Sequence, residues 1–172
     1  MDRRSLLNPM QEILSQPLHE VGGLFSLQYL GTEHSDVHQV PVAAWLMRNH
    51  AGDELGGIRL RLKSTRHVLL YAGHIGYNVH PQHRGNHYAA RAVRLLLPVA
   101  EAIGIHPVWI TCDPDNMASR RTLDLAGAEY VETVHVLQNN AIFLAGHPRK
   151  RRYRLATSPE TDAPQIPSEE TL

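Results

Sequence analysis

The stretch HIGYNVHPQHRGNHYAARAVRLLLPVA (residues 74–100) changes its period halfway along. Up to Val79 it carries strand-forming residues and stops at Pro81. From Asn86 onward Ala89, Ala92, Val93, Leu96, Leu97 and Ala100 recur at three- and four-residue spacing, which puts one apolar face on a helix ending near Ile103-Gly104. Pro98 predicts a kink or local irregularity in that helix, because an interior proline removes a backbone donor. Between strand and helix lies Gln82-His83-Arg84-Gly85-Asn86-His87. A tight loop feeding a helix start aims unpaired N–H groups and the positive end of the helix dipole at one spot. Arg84 adds a fixed cation, and Gly85 allows close backbone approach or a positive φ. That is the physical logic of a phosphate site.

Working outward, FSLQYL (25–30), VAAWLMRN (42–49) and LGGIRLRLK (55–63) read as three strands, the last two joined by the polar loop AGDE. A fourth strand is expected from about Tyr71 to Val79. PVWITC (107–112) is a short, nearly all-apolar run of strand length, suited to a central strand covered on both faces. DPDN then supplies a turn and a helix start. Met117, Arg121, Leu123, Leu125 and Ala126 carry a shorter helix ended by Gly127. Residues 128–137 and 149–156 are the last strand candidates, with GHPRK (146–150) turning between them. Met10–Leu14 is a short amphipathic stretch before Pro17 and Gly22-Gly23, so residues 1–24 read as a lead-in segment, 25–156 as one domain and 157–172 as a tail. The tail's three prolines and lack of aromatics predict disorder.

A chain of 172 residues suits a single domain. Lys plus Arg balances Asp plus Glu at 17 each, but Glu160, Asp162, Glu169 and Glu170 sit in the tail, leaving the rest mildly basic. That excess suits an anionic ligand and lacks the large imbalance of a dedicated nucleic-acid binder. The basic run RKRRYR (149–154) could grip an acidic partner, but the solvated face of an edge strand explains it more simply. No apolar run approaches the roughly 18 residues of a membrane span, and the N-terminus lacks a signal-like block, so a cytoplasmic protein is expected. The lone Cys112 reads as a small buried hydrophobe. Twelve histidines are scattered; His83 and His87 have metal-ligand spacing, but Gly85 lies between them, and no metal is expected.

The Gln82–His87 segment resembles the Gln/Arg-x-x-Gly-x-Gly/Ala signature of the GCN5-related N-acetyltransferases (GNATs). ITCDPDNMASRRTLDLAGAEYVE (110–132) resembles the same family's next strand, Asn-x-x-Ser/Ala helix and closing Gly. HIGY, RG-x-x-YA and ITC-x-PDN-x-ASRR together are similar to a small, uncharacterised bacterial subgroup of it. His87 departs from the pattern, standing where Gly or Ala is usual. The resemblance implies an α/β fold with a mixed, mostly antiparallel sheet whose fourth and fifth strands splay to admit the pantetheine arm of acetyl-CoA. It implies acetyl-CoA as cosubstrate, with Tyr77, Asn78 and Val79 pairing with the pantetheine amides. Gln82, His83, Arg84, Gly85, Asn86, His87 and Tyr88 would lie around the pyrophosphate, and Asn116 and Ser119 near CoA or the acetyl group. The activity implied is direct acetyl transfer to an amine of a small molecule or protein; a non-catalytic CoA-binding module is the alternative. The family's frequent acid, a Tyr seven residues after the Asn, is replaced by Leu123. His74 is the candidate base, against a plain hydrogen-bonded strand histidine. Gly31–Pro41 is short where the family often places two helices, which leaves the acceptor side open or completed by a second copy in a homodimer.

Overall fold

The computed structural model describes residues 8–157. The expected disorder of the tail from residue 158 onward, and the first seven residues of the lead-in, lie outside the described residues.

The chain runs α1 (Pro9–Leu14), β1 (Leu18–His19), β2 (Phe25–Ser35), β3 (Val40–Asn49), β4 (Glu54–Arg61), a π-helical turn (Val68–Ala72), β5 (Ile75–Val79), a 3-10 turn (Pro81–His83), α2 (Tyr88–Ala102), β6 (Val108–Cys112), α3 (Met117–Ala126), β7 (Glu129–His135), α4 (Ala141–Leu144) and β8 (Arg149–Leu155). Strands β1 to β5 form an antiparallel sheet in sequence order, and β6-β8-β7 form a second one. The fourth and fifth strands expected from sequence are therefore β5 and β6, and they belong to different sheets. This is the splayed, mostly antiparallel α/β fold implied by the resemblance.

Alternation explains the sheets. Phe25 and Leu27 on β2, Ala43, Trp45 and Met47 on β3, and Ile58 and Leu60 on β4 all turn to one face. There they meet Ala92, Val93, Leu96 and Ala100, the apolar stripe of α2. Pro98 does not interrupt α2, which runs unbroken to Ala102. Pro98 lies on the exposed side, where the carbonyl freed by its missing N–H can turn to water. The lead-in is fastened by Arg91 of α2, whose Nε donates to Glu20 at 2.7 Å while its guanidinium covers Phe25.

Three expectations are corrected. The strand expected from Tyr71 begins at Ile75, because Tyr71 and Ala72 close the π-helical turn and Gly73 follows with φ of 71°. A Cβ at Gly73 would lie 2.9 Å from the Ile110 Cα and the Thr111 nitrogen, so the close approach of the two sheets depends on this glycine. A short helix, α4, precedes the expected turn at 146–150. The basic run is not on an edge: β8 is the middle strand of its sheet. Four of its five cations have partners within the chain, Lys150 in Asp113, Arg152 in Glu132 and Arg154 in Glu129, while Arg151 covers the Tyr130 ring.

Candidate active site

At one end of the gap between the sheets, His74 ties β5 to β6. Its N–H donates to the Trp109 carbonyl at 2.6 Å, and the Trp109 N–H donates to its Nδ1 at 2.9 Å. Its Nε2 meets Ser64 Oγ at 3.0 Å. The residue is fully buried, and desolvation, with the charge of Arg61 second, pushes the imidazole down to about 4. The expectation that His74 is the base does not survive this geometry. Both ring nitrogens are committed, the side chain is wholly buried, and it lines none of the cavities described below.

Beyond Ile75 the strands part. Arg61 N–H donates to the His74 carbonyl and His80 N–H to that of Leu55, so even-numbered residues of β5 turn their backbone groups to β4. Ile75, Tyr77 and Val79 turn theirs to the gap. Of the three residues expected to meet pantetheine amides, Tyr77 and Val79 thus present backbone groups there, whereas those of Asn78 are used by β4. The Val79 carbonyl accepts from Arg84 Nε at 3.1 Å.

The loop after β5 ends in two left-handed residues, Gly85 at φ 86° and His87 at φ 59°. Nothing lies within 4 Å of a Cβ built on Gly85, so this glycine is needed for its conformation and not for lack of room. His87, at the family's Gly/Ala position, holds the left-handed conformation as the N-cap of α2 and gives it no side-chain cap. The first-turn N–H groups of α2 are left without an intrahelical or side-chain partner. By contrast α1, α3 and α4 are each capped by an asparagine, Asn8, Asn116 and Asn140.

A groove of about 490 Å³ runs along this loop. It is lined by Tyr77, Asn78, Val79, His83, Arg84, Gly85, His87, Tyr88, Asn116 and Ser119 from the expected set, together with Ala89, Ala118, Arg121, Thr122 and Leu125. Gln82 and Asn86 are the two expected residues that do not line it. Gln82 is exposed on the 3-10 turn, and Asn86 braces the loop from within, its Nδ2 donating to the His83 carbonyl at 3.1 Å. Uncapped donors beside an arginine, at the mouth of an open strand edge, fit the pyrophosphate and amide chain of a CoA thioester.

A second cavity, about 370 Å³, lies on the other side of the gap and shares Tyr77, Asn116 and Ser119 with the groove. Tyr77 Oη lies 2.8 Å from Ser119 Oγ, and burial pushes the phenol up to about 12 against the opposing pull of that hydrogen bond. Cys112 is beside them with its thiol raised by burial, so it is not an activated nucleophile. Across the cavity His147 Nδ1 lies 2.6 Å from Asp113 Oδ2, and Lys150 Nζ is 2.7 Å from Oδ1. Burial raises the Asp113 carboxyl, but Lys150 and then His147 outweigh it and hold it below its ordinary range. Val37 and His38 of the β2–β3 turn, Arg61 of β4, and Ala141 and Ile142 of α4 also line the cavity.

Sequence reasoning missed the Tyr77 side chain, the Asp113–His147 pair, His38 and Arg61. Asp113 and His147 are 34 residues apart and meet only through the pairing of β6 with β8. Leu123 is wholly buried in the core, as its place in the apolar stripe of α3 suggests. Among the described residues no three His, Cys, Asp or Glu side chains cluster as a metal site would need, and no helix is long and apolar enough to cross a membrane.

The fold has many solved counterparts. Mycobacterium smegmatis RimJ in complex with CoA-disulfide superposes with a TM-score of 0.57 at 14% identity, covering 82% of this chain and 86% of that one. The microcin C7 self-immunity acetyltransferase MccE, in complex with acetyl-CoA and AMP, gives 0.51 at 14% identity over 67% of this chain and 61% of that chain. A GNAT-family acetyltransferase from Bacillus anthracis gives 0.52 at 18%, with 66% of each chain covered. The chain thus spans somewhat less than two thirds of the MccE and B. anthracis chains, and at these identities the likeness is one of fold. Among curated proteins none matches its sequence. The family model for the acetyltransferase (GNAT) domain matches residues 26–129, well over half of the chain, and the chain belongs to that family.

Proposed function

We propose that this protein is an acetyl-CoA-dependent N-acetyltransferase that moves the acetyl group directly to an amine. One observation carries the reading: a groove with uncapped helix donors and a separate polar cavity meet at Tyr77, Asn116 and Ser119, where a thioester held in the first would face an amine held in the second. The thioester supplies the activated acetyl group. Everything else falls to the chain's own side chains.

The N–H groups at the start of α2 and the Arg84 guanidinium hold the pyrophosphate, and the gap-facing backbone of Tyr77 and Val79 aligns the pantetheine arm. His147 is the proposed base. Its Nδ1 faces the Asp113 carboxylate, so the neutral ring keeps its lone pair at Nε2, free to take the amine proton directly or through water. Tyr77 and Ser119 are placed to hydrogen-bond the sulfur as it gains charge. A phenol pushed to about 12 holds its proton more tightly than a thiol of about 8.5, so Tyr77 stabilises the leaving sulfur as a donor, and solvent returns the proton. In this arrangement Tyr77 fills the place left by Leu123.

The test is a screen of amines with acetyl-CoA, reading free thiol. Turnover that rises with one amine class and is lost in His147→Ala is the expected result. Tight acetyl-CoA binding with no thiol released by any amine would instead support a CoA-binding module without catalysis.

A further inference from the structure

Arg61 lines both the cavity beside Tyr77 and a neighbouring one of about 540 Å³ over β2 to β4, with its charge uncompensated. Its Nη1 donates to the carbonyls of Ala72 at 3.2 Å and Gly73 at 3.1 Å, and its Nη2 lies 3.0 Å from His38 Nε2. The two carbonyls account for two of a guanidinium's five N–H groups, and its Nε is buried with no partner. Among the described residues no carboxylate pairs with it. Asp113, the acid of the same cavity, is committed to Lys150 and His147, and Glu33, the acid lining the neighbouring cavity on β2 to β4, makes no ion pair. A largely desolvated cation without a counter-ion is costly unless a ligand supplies one.

The proton count along its neighbours points the same way. Asn140 Oδ1 caps α4 by accepting from Ile142 N–H at 2.9 Å, so its Nδ2 is the group that donates to His67 Nδ1 at 3.1 Å. The neutral His67 ring then carries its proton on Nε2 and donates to His38 Nδ1 at 3.0 Å. That leaves the proton of neutral His38 on Nε2, facing the Arg61 Nη2 donor. Burial first, then Arg61 and His67, push His38 down to about 4, so it is neutral at ordinary pH. Two donors 3.0 Å apart cannot satisfy each other, and a carboxylate oxygen lying beside the pair would accept from both.

The site is open to the acceptor. Arg61 and His38 line both the transfer cavity and its neighbour, and a Cβ on Gly76, one residue before Tyr77, would lie 3.7 Å from both Nη atoms. We propose that Arg61 and His38 form an anion subsite that takes the carboxylate of the acceptor, which is a small amine carrying an acid group. The proposal rests on the acetyltransferase reading and adds the substrate class to it.

The experiment compares matched probes on CoA-loaded protein by calorimetry: glycine, β-alanine and 4-aminobutyrate, each against its primary amide. At least one acid is expected to bind about tenfold or more tightly than its amide, the scale of one charge-assisted contact. The gap should close in Arg61→Met and in Gly76→Asp, which places a carboxylate of the chain's own on the guanidinium and is expected to fold without strain. Equal binding of every pair, no binding by any probe, or a gap that persists in Gly76→Asp would overturn the subsite. Repeating the pairs without CoA separates the two readings: failure of acetyl-CoA itself to bind removes the acetyltransferase reading, while the acid-to-amide ratio still decides the subsite.

Discussion

The two junctions where a strand hands over to a helix beside the gap are built alike and finished differently. After β6, Asp113–Asn116 makes a turn, and Asn116 Oδ1 accepts from the Ser119 N–H at 3.0 Å, closing the start of α3 on itself. After β5, Gly85 and His87 are left-handed and α2 starts with no side-chain cap. A helix start ordinarily gains about 1 kcal/mol from a capping side chain, and a non-glycine residue in the left-handed region costs a comparable amount. The β5–α2 junction forgoes the first and bears the second. The difference teaches where to look for a ligand: α3 satisfies its own helix start, whereas α2 leaves its donors beside a groove, where the proposed function gives them the phosphates as partners.

The sharpest way to break that comparison is Gly85→Val. A β-branched residue at φ 86° is strained even with space around it, so the loop should rearrange and misplace several donors at once. With charge-assisted bonds at about 1.5 to 3 kcal/mol each, loss of two predicts acetyl-CoA binding weaker by roughly two to four orders of magnitude in calorimetry, with the protein still folded.

Next comes the tie that holds the gap to its shape. His74 titrates at about 4 in the fold against 6.5 when free, so between those values the unfolded chain binds more protons and stability falls as the pH drops from 6.5 toward 4. Thermal melts across that range should show a loss on the order of 2 to 3 kcal/mol from this residue. His74→Gln should be less stable at pH 7.5, with a shallower decline on acidification and no separate loss of a catalytic ionisation.

A smaller effect is expected from Tyr77→Phe. It removes one donor to the departing sulfur and should lower kcat about tenfold to a hundredfold while acetyl-CoA affinity stays close to wild type. Weaker acetyl-CoA binding with kcat unchanged would place Tyr77 in binding alone. Asn116→Ala should do least, costing about 1 kcal/mol of stability, a drop of some 2 to 4 °C in Tm, through the lost cap. A collapse of cofactor affinity in this variant would mean that α3, too, offers its start to the ligand.

The β5–α2 junction was legible in the sequence because its signals are local. The change of period at Asn86, the Arg-Gly pair and the departure at His87 all lie within a few residues. The strands were legible for the same reason, and their splay came with the family resemblance. What was hidden depends on partners distant in sequence. Which way His74 faces is set by Trp109, 35 residues on, and it turned inward to hold the sheets together. Arg61, His38 and His67 read as ordinary polar residues until the β2–β3 turn and the π-helical turn bring them together. The run RKRRYR looked like an edge strand because its charges gave no hint that β7 and Trp109 would absorb them.

The most direct measurement is amide hydrogen exchange at the two helix starts, with and without acetyl-CoA. The account predicts that exchange slows strongly at Gly85 through Ala90 when acetyl-CoA is added, because those N–H groups acquire the phosphates as partners, while Ser119 N–H, already held by Asn116, changes little. Unchanged exchange at residues 85–90 in protein saturated with acetyl-CoA would contradict it.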